Sequence, residues 1–191
     1  MPKLAILFIG LILITVSMVG FSSLFQKKTK PEARLPERKQ TMQVTSPVFT
    51  QEEQIPVDYS CDGENVNPPL AIANIPTGTQ SLAIIVDDPD APSGTWAHWL
   101  VWNISPSTRE ILEDSVPEGA ILGTNDFKKM EYGGPCPPSG THRYFFKVYA
   151  LDTKLDLAEG ASRGELDEAM DEHILDSAEL IGLYSRKEKP Q

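Results

Sequence analysis

One segment of the sequence brings carboxylates, prolines and a histidine close together. Residues 87–99 read DDPDAPSGTWAHW, which places Asp88 and Asp90 in a proline-containing loop and His98 at the start of the next apolar run. Carboxylates accept hydrogen bonds, whereas an imidazole can donate or accept them and titrates near neutral pH. This combination suits the binding of a small polar ligand or general acid–base chemistry.

A second segment supplies further hydrogen-bond donors. Residues 132–144 read YGGPCPPSGTHRY, a Pro- and Gly-rich loop that delivers His142 and Tyr144 into a strand. Residues two apart on a strand point to the same face, so the imidazole and the phenol are expected side by side. A loop with several prolines has few conformations to lose, so it can hold a pocket rim at low entropic cost. The donors and the rigid rim together predict one side of a small polar pocket.

Two aspartates would be unfavourable beside an anionic ligand, because like charges repel. Two hypotheses account for them. Asp88 is expected to accept a hydrogen bond from His98 or His142, which fixes the tautomer and favours the charged ring. Asp90 is expected to face an ammonium group, which suits a zwitterion such as phosphoethanolamine.

An enzyme is the competing interpretation, because two His and two Asp can ligate a metal or act as acid and base. The sequence has no serine in a nucleophile elbow, no H-E-x-x-H motif and no Gly-rich phosphate loop before a helix. We therefore expect no catalytic residue, no metal and no cofactor.

The elements that position these side chains are predicted to be mainly strands. Apolar and β-branched runs occupy residues 81–86, 98–104 and 143–151, and a last strand is expected at 179–184. Several of these strands are expected to be buried on both faces. Because long proline-rich loops join the runs, the predicted fold class is an all-β sandwich.

One helix is also predicted. Ser162 can cap it, and Glu165 lies three residues further on, which is the spacing of a capping box. Leu166, Met170 and Ile174 then mark one apolar face.

The charge distribution divides the chain into two parts. The 191 residues carry a formal net charge of −10. Residues 1–40 contain seven basic and two acidic residues, a net charge of +5, whereas residues 41–191 carry −15. A domain this acidic lacks the basic face that nucleic-acid binding needs, so we expect no nucleic-acid partner.

The basic part begins with a hydrophobic run. Residues 4–25 hold no charge, and a run of 22 residues matches the roughly 20 that span a bilayer as a helix. An uncleaved anchor at 1–25 is favoured over a cleaved signal segment, because the run is long and no small-x-small site follows. The polar, basic residues 26–41 are predicted to be a linker, and residues 42–191 the ligand-binding domain.

The charge pattern leaves the orientation of the anchor open. Basic residues after the run favour a cytoplasmic domain under the positive-inside rule, whereas a signal-like entry would export the domain. We expect a membrane-anchored, extracytoplasmic domain, with secretion after cleavage as the alternative.

Cys61 and Cys136 are the only cysteines. In an exported domain two cysteines favour one disulfide, whereas in a cytosolic domain they are more often free thiols. Their spacing matches no zinc motif, and separation along the chain does not show whether the two sulfurs meet.

The two chemistry-bearing segments resemble the signature regions of the phosphatidylethanolamine-binding protein (PEBP) family. DPDAP followed by His98, together with GPCPPSGTHRY, is similar to its bacterial and archaeal, Raf-kinase-inhibitor-like branch. Residues 59–70 (YSCDGENVNPPL) resemble the same branch, and the resemblance extends over residues 43–185. It implies a large antiparallel sheet, a smaller sheet, one or two short helices, and a pocket at one edge that binds phosphate and phosphorylated headgroups.

The resemblance also implies which residues form the pocket. The Ala91–Pro92 bond falls where the family commonly has a cis proline. Independently of the resemblance, the three tryptophans are expected mainly in the core, with Trp96 and Tyr132 the better candidates for the pocket rim. The expected ligand-binding residues are Asp88, Asp90, Pro92, Trp96, His98, Pro135, His142 and Tyr144.

The predicted function is non-enzymatic binding of a small anionic or zwitterionic ligand, such as phosphate or phosphoethanolamine, by a membrane-tethered domain. A protein-interaction or inhibitor module that regulates a kinase or protease is the alternative, and a metal-assisted hydrolase is a weaker one. Some relatives in the branch are dimers, which allows a homodimer here.

Overall fold

The computed structural model describes residues 40–186. The expected anchor at 1–25 and most of the expected linker at 26–41 lie outside the described residues. Within residues 40–186, no helix is both long enough and apolar enough to cross a bilayer.

Nine strands, one α-helix and one 3-10 turn make up the described part of the chain. In chain order they are β1 (Gln43–Thr45), β2 (Glu53–Gln54), the 3-10 turn (Val57–Tyr59), β3 (Leu70–Ala73), β4 (Ser81–Asp88), β5 (Trp96–Ile104), β6 (Glu110–Ile111), β7 (Ile121–Leu122), β8 (Thr141–Leu151), α1 (Arg163–Met170) and β9 (Ile174–Ser185). They form a three-stranded sheet, β1-β3-β6, and a six-stranded sheet, β2-β9-β8-β4-β5-β7. Every pair is antiparallel except the short parallel pair of β2 with β9. The predicted mainly-β fold with two sheets is confirmed.

Strand β4 is the centre of the large sheet and is buried on both faces. Its Leu82, Ile84 and Val86 pack into the core between the two sheets. Its Ala83 and Ile85 pack into a second core on the opposite face, under the helix. All eight residues of the strand are buried, which explains why its sequence is an apolar run without polar alternation.

Strand β8 follows the predicted alternation. From Tyr144 every second residue up to Ala150 is fully buried and packs into the core between the sheets. The other face of β8 carries Arg143, Phe145 and Lys147, which are exposed or half-buried. Alternation therefore sets which of its side chains can reach the pocket described below.

Helix α1 begins as the sequence predicts but ends earlier. The Ser162 side chain accepts from the Glu165 backbone, and the Glu165 carboxylate accepts from the Ser162 backbone, which completes the capping box. Leu166 and Met170 are buried against the sheet. The assignment of Ile174 to this face was wrong, because the chain turns at 171–173 and Ile174 opens β9 with 46% of its surface exposed.

A buried carboxylate joins the helix to the sheet. Asp87, at the end of β4, has no exposed surface. Lys147 Nζ lies 3.0 Å from both of its oxygens, and Arg163 Nη1 lies 2.7 Å from Oδ2. Arg163 is the first residue of α1 and also donates from Nε to Asp167 at 2.8 Å. The two cations compensate a carboxylate that would otherwise be costly to bury.

Truncation of Leu166 tests the contribution of the helix to the second core. Leu166→Ala removes a fully buried side chain and is expected to lower the free energy of unfolding by about 2–5 kcal/mol. Urea unfolding measures the change. Glu168→Ala, on the exposed side of the same helix, is the control and should change stability by less than about 0.5 kcal/mol. Equal effects of the two variants would contradict the assigned packing.

Candidate ligand-binding site

A pocket of about 210 Å³ lies where β4, β5 and β8 meet two loops. It is lined by Asp88, Ala91, Pro92, Ser93, Trp96, His98, Phe127, Cys136, Pro137, Pro138, His142 and Tyr144. Six of the eight expected ligand-binding residues are in this lining. Asp90 and Pro135 are outside it.

Asp88 and His142 form a buried pair on neighbouring strands. His142 Nδ1 lies 2.7 Å from Asp88 Oδ2, and both side chains are almost completely shielded from solvent. A carboxylate accepts, so the Nδ1 proton is committed to Asp88 and Nε2 is the ring nitrogen left for a ligand. Between the two partners considered for Asp88, the structure selects His142. The other oxygen, Oδ1, accepts from the backbone of Asp90 at 2.8 Å and fixes the turn after β4.

A β-bulge places His98. In the ladder between β4 and β5, Val86 is opposite Trp99 and Asp87 is opposite Ala97, so His98 has no counterpart. The bulge interrupts the alternation: Ala97 packs under the helix, whereas Trp99 packs between the sheets. A regular strand would put both residues on the same face. The extra residue therefore turns the His98 side chain toward the pocket.

The loop after β7 holds the bulge in place. The His98 carbonyl accepts from the Gly133 backbone at 3.0 Å and from Asn125 Nδ2 at 3.2 Å. His98 Nδ1 lies 2.6 Å from the Gly133 carbonyl, which can only accept, so this proton too is committed and Nε2 is left for a ligand. The ring stands edge-on to Tyr144 and Phe127, with centroids 5.2 Å away in each case. Burial lowers the pKa of His98, so the free pocket holds a neutral imidazole at neutral pH.

Two buried donors also face this site. The Tyr144 hydroxyl and Trp96 Nε1 make no hydrogen bond of normal length within residues 40–186, although Asp88 and the Cys136 backbone lie close enough to the Tyr144 hydroxyl to shift its pKa. Burial, together with the charge of Asp88, raises the pKa of Tyr144, so its phenol remains protonated. Buried donors without acceptors are costly, and a ligand oxygen would satisfy both.

Asp90 holds the loop rather than facing a ligand. Its Oδ2 accepts from Arg143 Nε at 2.9 Å and from the Arg143 backbone at 3.0 Å, and its Oδ1 accepts from Nη2 at 2.6 Å. The side-chain hydrogen bond to Arg143 lowers the pKa of Asp90 to about 2. The ammonium partner expected for Asp90 is replaced by this guanidinium, which ties the loop after β4 to strand β8.

The disulfide lies directly beside the pocket. Cys61 and Cys136 are bonded, with an S–S distance of 2.05 Å, and Cys136 is part of the pocket lining. Pro135, expected in the pocket, instead accepts from the Cys61 backbone through its carbonyl at 3.1 Å. A Cβ at Gly134 would lie 2.5 Å from the Tyr59 carbonyl, so only glycine permits this close approach of the two segments.

Two further expectations are not met. The Ala91–Pro92 bond is trans, and no cis peptide bond occurs within residues 40–186. Tyr132 is buried outside the pocket, where its hydroxyl donates to the Tyr59 carbonyl at 3.1 Å and its ring packs edge-on against Trp99. Tyr132 therefore anchors the loop that follows β7 to the core and does not form the pocket rim.

The sequence did not reveal the residues that build the rim from the loop after β7. Asn125 is buried and bonds the His98 and Glu131 carbonyls as well as the Lys129 backbone. Phe127 covers the pocket and contacts the Trp96 and His98 rings. The sequence TNDFKK contains ordinary turn residues, so no local pattern distinguishes Asn125 from any loop asparagine.

The site contains no arrangement typical of a metal centre. Among the described residues, no group of three or more His, Cys, Asp or Glu side chains is placed to hold a metal ion. The two histidines direct their Nδ1 atoms to different acceptors.

Comparisons with known proteins identify the class. A family model for phosphatidylethanolamine-binding protein matches residues 45–185. A UPF0098 protein of Methanothermobacter thermautotrophicus is 49% identical over 150 residues, which cover 76% of this chain and 99% of that protein. The UPF0098 protein PH1269 of Pyrococcus horikoshii is 51% identical over 160 residues, 79% of this chain and 80% of that protein.

Solved structures agree in fold. CT736 of Chlamydia trachomatis, described as a PEBP homologue, has a TM-score of 0.74 and 41% identity, and the match covers 77% of this chain and 99% of that one. YbcL of E. coli, described as a new member of the mammalian PEBP family, has a TM-score of 0.73 and 34% identity, covering 78% and 100%. The two-sheet fold and its edge pocket thus define a binding-type β-domain. The chain belongs to the phosphatidylethanolamine-binding protein family.

The Asp90–Arg143 pair predicts an acid-sensitive stability. Because the folded-state pKa of Asp90, about 2, lies below its ordinary value of 3.8, the pair stabilises the fold above about pH 4 and loses its effect as the pH falls toward 2. Asp90→Asn should therefore be less stable than the wild type at pH 5, with the difference shrinking between pH 4 and pH 2. Urea unfolding at several pH values measures this.

The control for this experiment is Asp156→Asn, an exposed aspartate elsewhere on the surface. It should show no such convergence with the wild type. A stability difference for Asp90→Asn that stays constant down to pH 2 would contradict the assigned ion pair.

Proposed function

We propose that this protein is a non-enzymatic binding protein whose pocket takes the phosphate or carboxylate of a small anionic or zwitterionic ligand, with a phosphorylated lipid headgroup as the leading example. The observation that carries the proposal is the set of hydrogen-bonding atoms around one small cavity. The two imidazole Nε2 atoms, the Tyr144 hydroxyl and Trp96 Nε1 make no hydrogen bond of normal length within residues 40–186.

The size and charge of the pocket define the ligand further. A cavity of about 210 Å³ is small for a drug-sized molecule and fits a single headgroup. Its lining contains no Lys or Arg, and residues 41–191 carry a charge of −15 that opposes the approach of anions. The expected affinity is therefore micromolar to millimolar, roughly 4–8 kcal/mol.

The proposal includes a location for the domain. The Cys61–Cys136 disulfide supports an oxidising, extracytoplasmic compartment. The hydrophobic run at residues 4–25 supports a membrane tether, which would keep the domain near lipid headgroups. A weak affinity for a headgroup is then compensated by the high local concentration at the membrane surface.

Calorimetric titration with phosphoethanolamine tests the proposal. The titration uses a fragment of residues 41–191. This choice follows the Methanothermobacter relative, because the 150 residues matched to this domain make up 99% of its length. Saturable binding is expected, and His98→Ala should abolish it by removing one of the pocket imidazoles. His173→Ala is the matched control, since His173 is exposed and pairs with Asp152 outside the pocket. Equal binding by the His98 variant, or no heat with the folded wild type, would refute the assignment.

The pH dependence of anion binding is a second test. The free pocket holds a neutral His98, so an anion without protons must draw a proton onto the imidazole when it binds. Sulfate is the probe because it does not titrate near neutral pH. Its affinity should rise between pH 8 and pH 6, by up to about tenfold per pH unit for each proton taken up.

The variant for this measurement is His98→Gln, which keeps a hydrogen-bonding side chain and cannot be protonated. It should bind sulfate with a weaker dependence on pH than the wild type. A wild-type affinity that is constant from pH 8 to pH 6 would show that anion binding is not coupled to the imidazole.

A further inference from the structure

A second and larger cavity lies outside the pocket. It has a volume of about 370 Å³ and is lined by Glu64, Asn65, Val66, Asn67, Trp99, Asp114, Ser115, Val116, Leu122, Met130, Glu131 and Tyr132. It shares no lining residue with the pocket that contains His98 and His142. Its lining contains three acidic residues and no histidine, whereas the proposed headgroup site contains two histidines.

The charged residues of this cavity are all acidic. Glu64, Asp114 and Glu131 are exposed at its edge, and its lining contains no Lys, Arg or His. Glu131 pairs at its surface with Lys129 at 2.8 Å, an exposed contact of small energetic value. No hydrogen bond or ion pair within the described residues engages the carboxylates of Glu64 and Asp114. The edge therefore attracts a cation.

The wall of the cavity carries an unsatisfied donor. Trp99 is 1% exposed, and its indole Nε1–H has no hydrogen-bond partner among the described residues. Tyr132 packs edge-on against this indole, but its hydroxyl bonds the Tyr59 carbonyl and makes no hydrogen bond with the indole N–H. Because Trp99 lines the cavity, its unsatisfied N–H favours a ligand that brings an acceptor, of which a carbonyl oxygen is the common one.

The remaining lining is apolar and partly exposed. Val116 and Met130 expose 41% and 49% of their surface, and Val66 and Leu122 are half-buried beside them. These side chains can cover the aliphatic stem of a long side chain while its charged end stays at the acidic edge. Asn67 is not available for a ligand, because its amide bonds the Leu112 carbonyl and the Ser115 backbone.

We propose that this cavity binds an arginine or lysine side chain of a polypeptide, with the cation against Asp114 and Glu131, the stem against Met130 and Val116, and a neighbouring peptide carbonyl accepting from Trp99 Nε1. A cation, an aliphatic stem and a carbonyl occur together in a basic residue of a peptide chain. A simple inorganic cation would use the carboxylates alone and leave the indole unsatisfied.

N-acetyl-arginine amide is the probe, and N-acetyl-citrulline amide is its uncharged counterpart with the same shape and carbonyls. Two-dimensional ¹H–¹⁵N spectra of residues 41–191 resolve the three indole N–H signals of Trp96, Trp99 and Trp102. Titration with the arginine compound should shift the Trp99 indole signal in a saturable way and leave that of Trp102 unchanged. The citrulline compound should bind at least about fivefold more weakly, because it lacks the charge.

Variants separate local recognition from overall charge. The double variant Asp114→Asn and Glu131→Gln should weaken binding of the arginine compound by about fivefold or more. Asn tolerates the left-handed backbone at residue 114, where φ is 47°, so the fold is preserved. The double variant Asp156→Asn and Glu168→Gln changes the net charge equally at exposed sites outside the cavity lining and should bind as the wild type does.

Three results would overturn the proposal: equal affinity for the arginine and citrulline compounds, an unshifted Trp99 indole signal, or undiminished binding by the Asp114/Glu131 variant. This cavity and the pocket that contains His98 share no lining residue. Failure of phosphoethanolamine to bind would therefore leave this result unaffected, and the two sites are tested independently.

Discussion

Two adjacent carboxylates, Asp87 and Asp88, end a strand that is buried on both faces. Their buried charges must be paired, and the groups that pair with them organise much of the surrounding structure. Asp87 and Asp88 point to opposite faces of β4, as successive residues of a strand must. On one face Asp87 forms ion pairs with Lys147 and Arg163, which hold the start of the helix against the sheet. On the other face Asp88 accepts a hydrogen bond from His142, which fixes the orientation of this imidazole in the pocket. An uncompensated charge at either position would cost several kcal/mol, so helix docking and pocket geometry follow from the same constraint.

The bulge in β5 is the second determinant of the site. Without it, His98 would be on the face opposite Ala97 and Trp99, and those two residues would share a face. With it, Trp99 fills the core between the sheets while His98 stands against Tyr144 at the pocket. Because the bulge removes the His98 carbonyl from the strand ladder, this carbonyl needs other donors. The Gly133 backbone and the Asn125 side chain donate to it. The loops that close the pocket are thus held by backbone groups that the bulge has released from the ladder.

The sequence predicts those parts of the structure that depend on local pattern. The apolar runs of β4, β5 and β8 and the capping box of α1 follow from periodicity and from one hydrogen-bonding motif. Contacts between distant segments could not be predicted in this way. Nothing near Asp90 indicates that Arg143, 53 residues away, would take its carboxylate. The bulge is equally hidden, because a single extra residue leaves the composition of the strand unchanged. Ile174 fits the helical spacing, but the turn at 171–173 ends the helix before the spacing can apply.

If the pocket binds an anion as proposed, the position of the nearby cations determines what kind of anion it can hold. Arg143 and Lys147 lie on the face of β8 opposite His142 and Tyr144 and pair with Asp90 and Asp87, so neither supplies a charge to the lining. The neutral His98 carries its proton on Nδ1 and therefore presents a lone pair at Nε2. A fully ionised ligand would meet that lone pair with repulsion unless the ring gains a proton. A ligand that brings its own hydrogen, such as a singly protonated phosphate monoester, donates to Nε2 while its other oxygens accept from the Tyr144 hydroxyl and Trp96 Nε1. Under the proposed function, selectivity would come from the proton carried by the ligand, since fixed positive charge is absent from the lining.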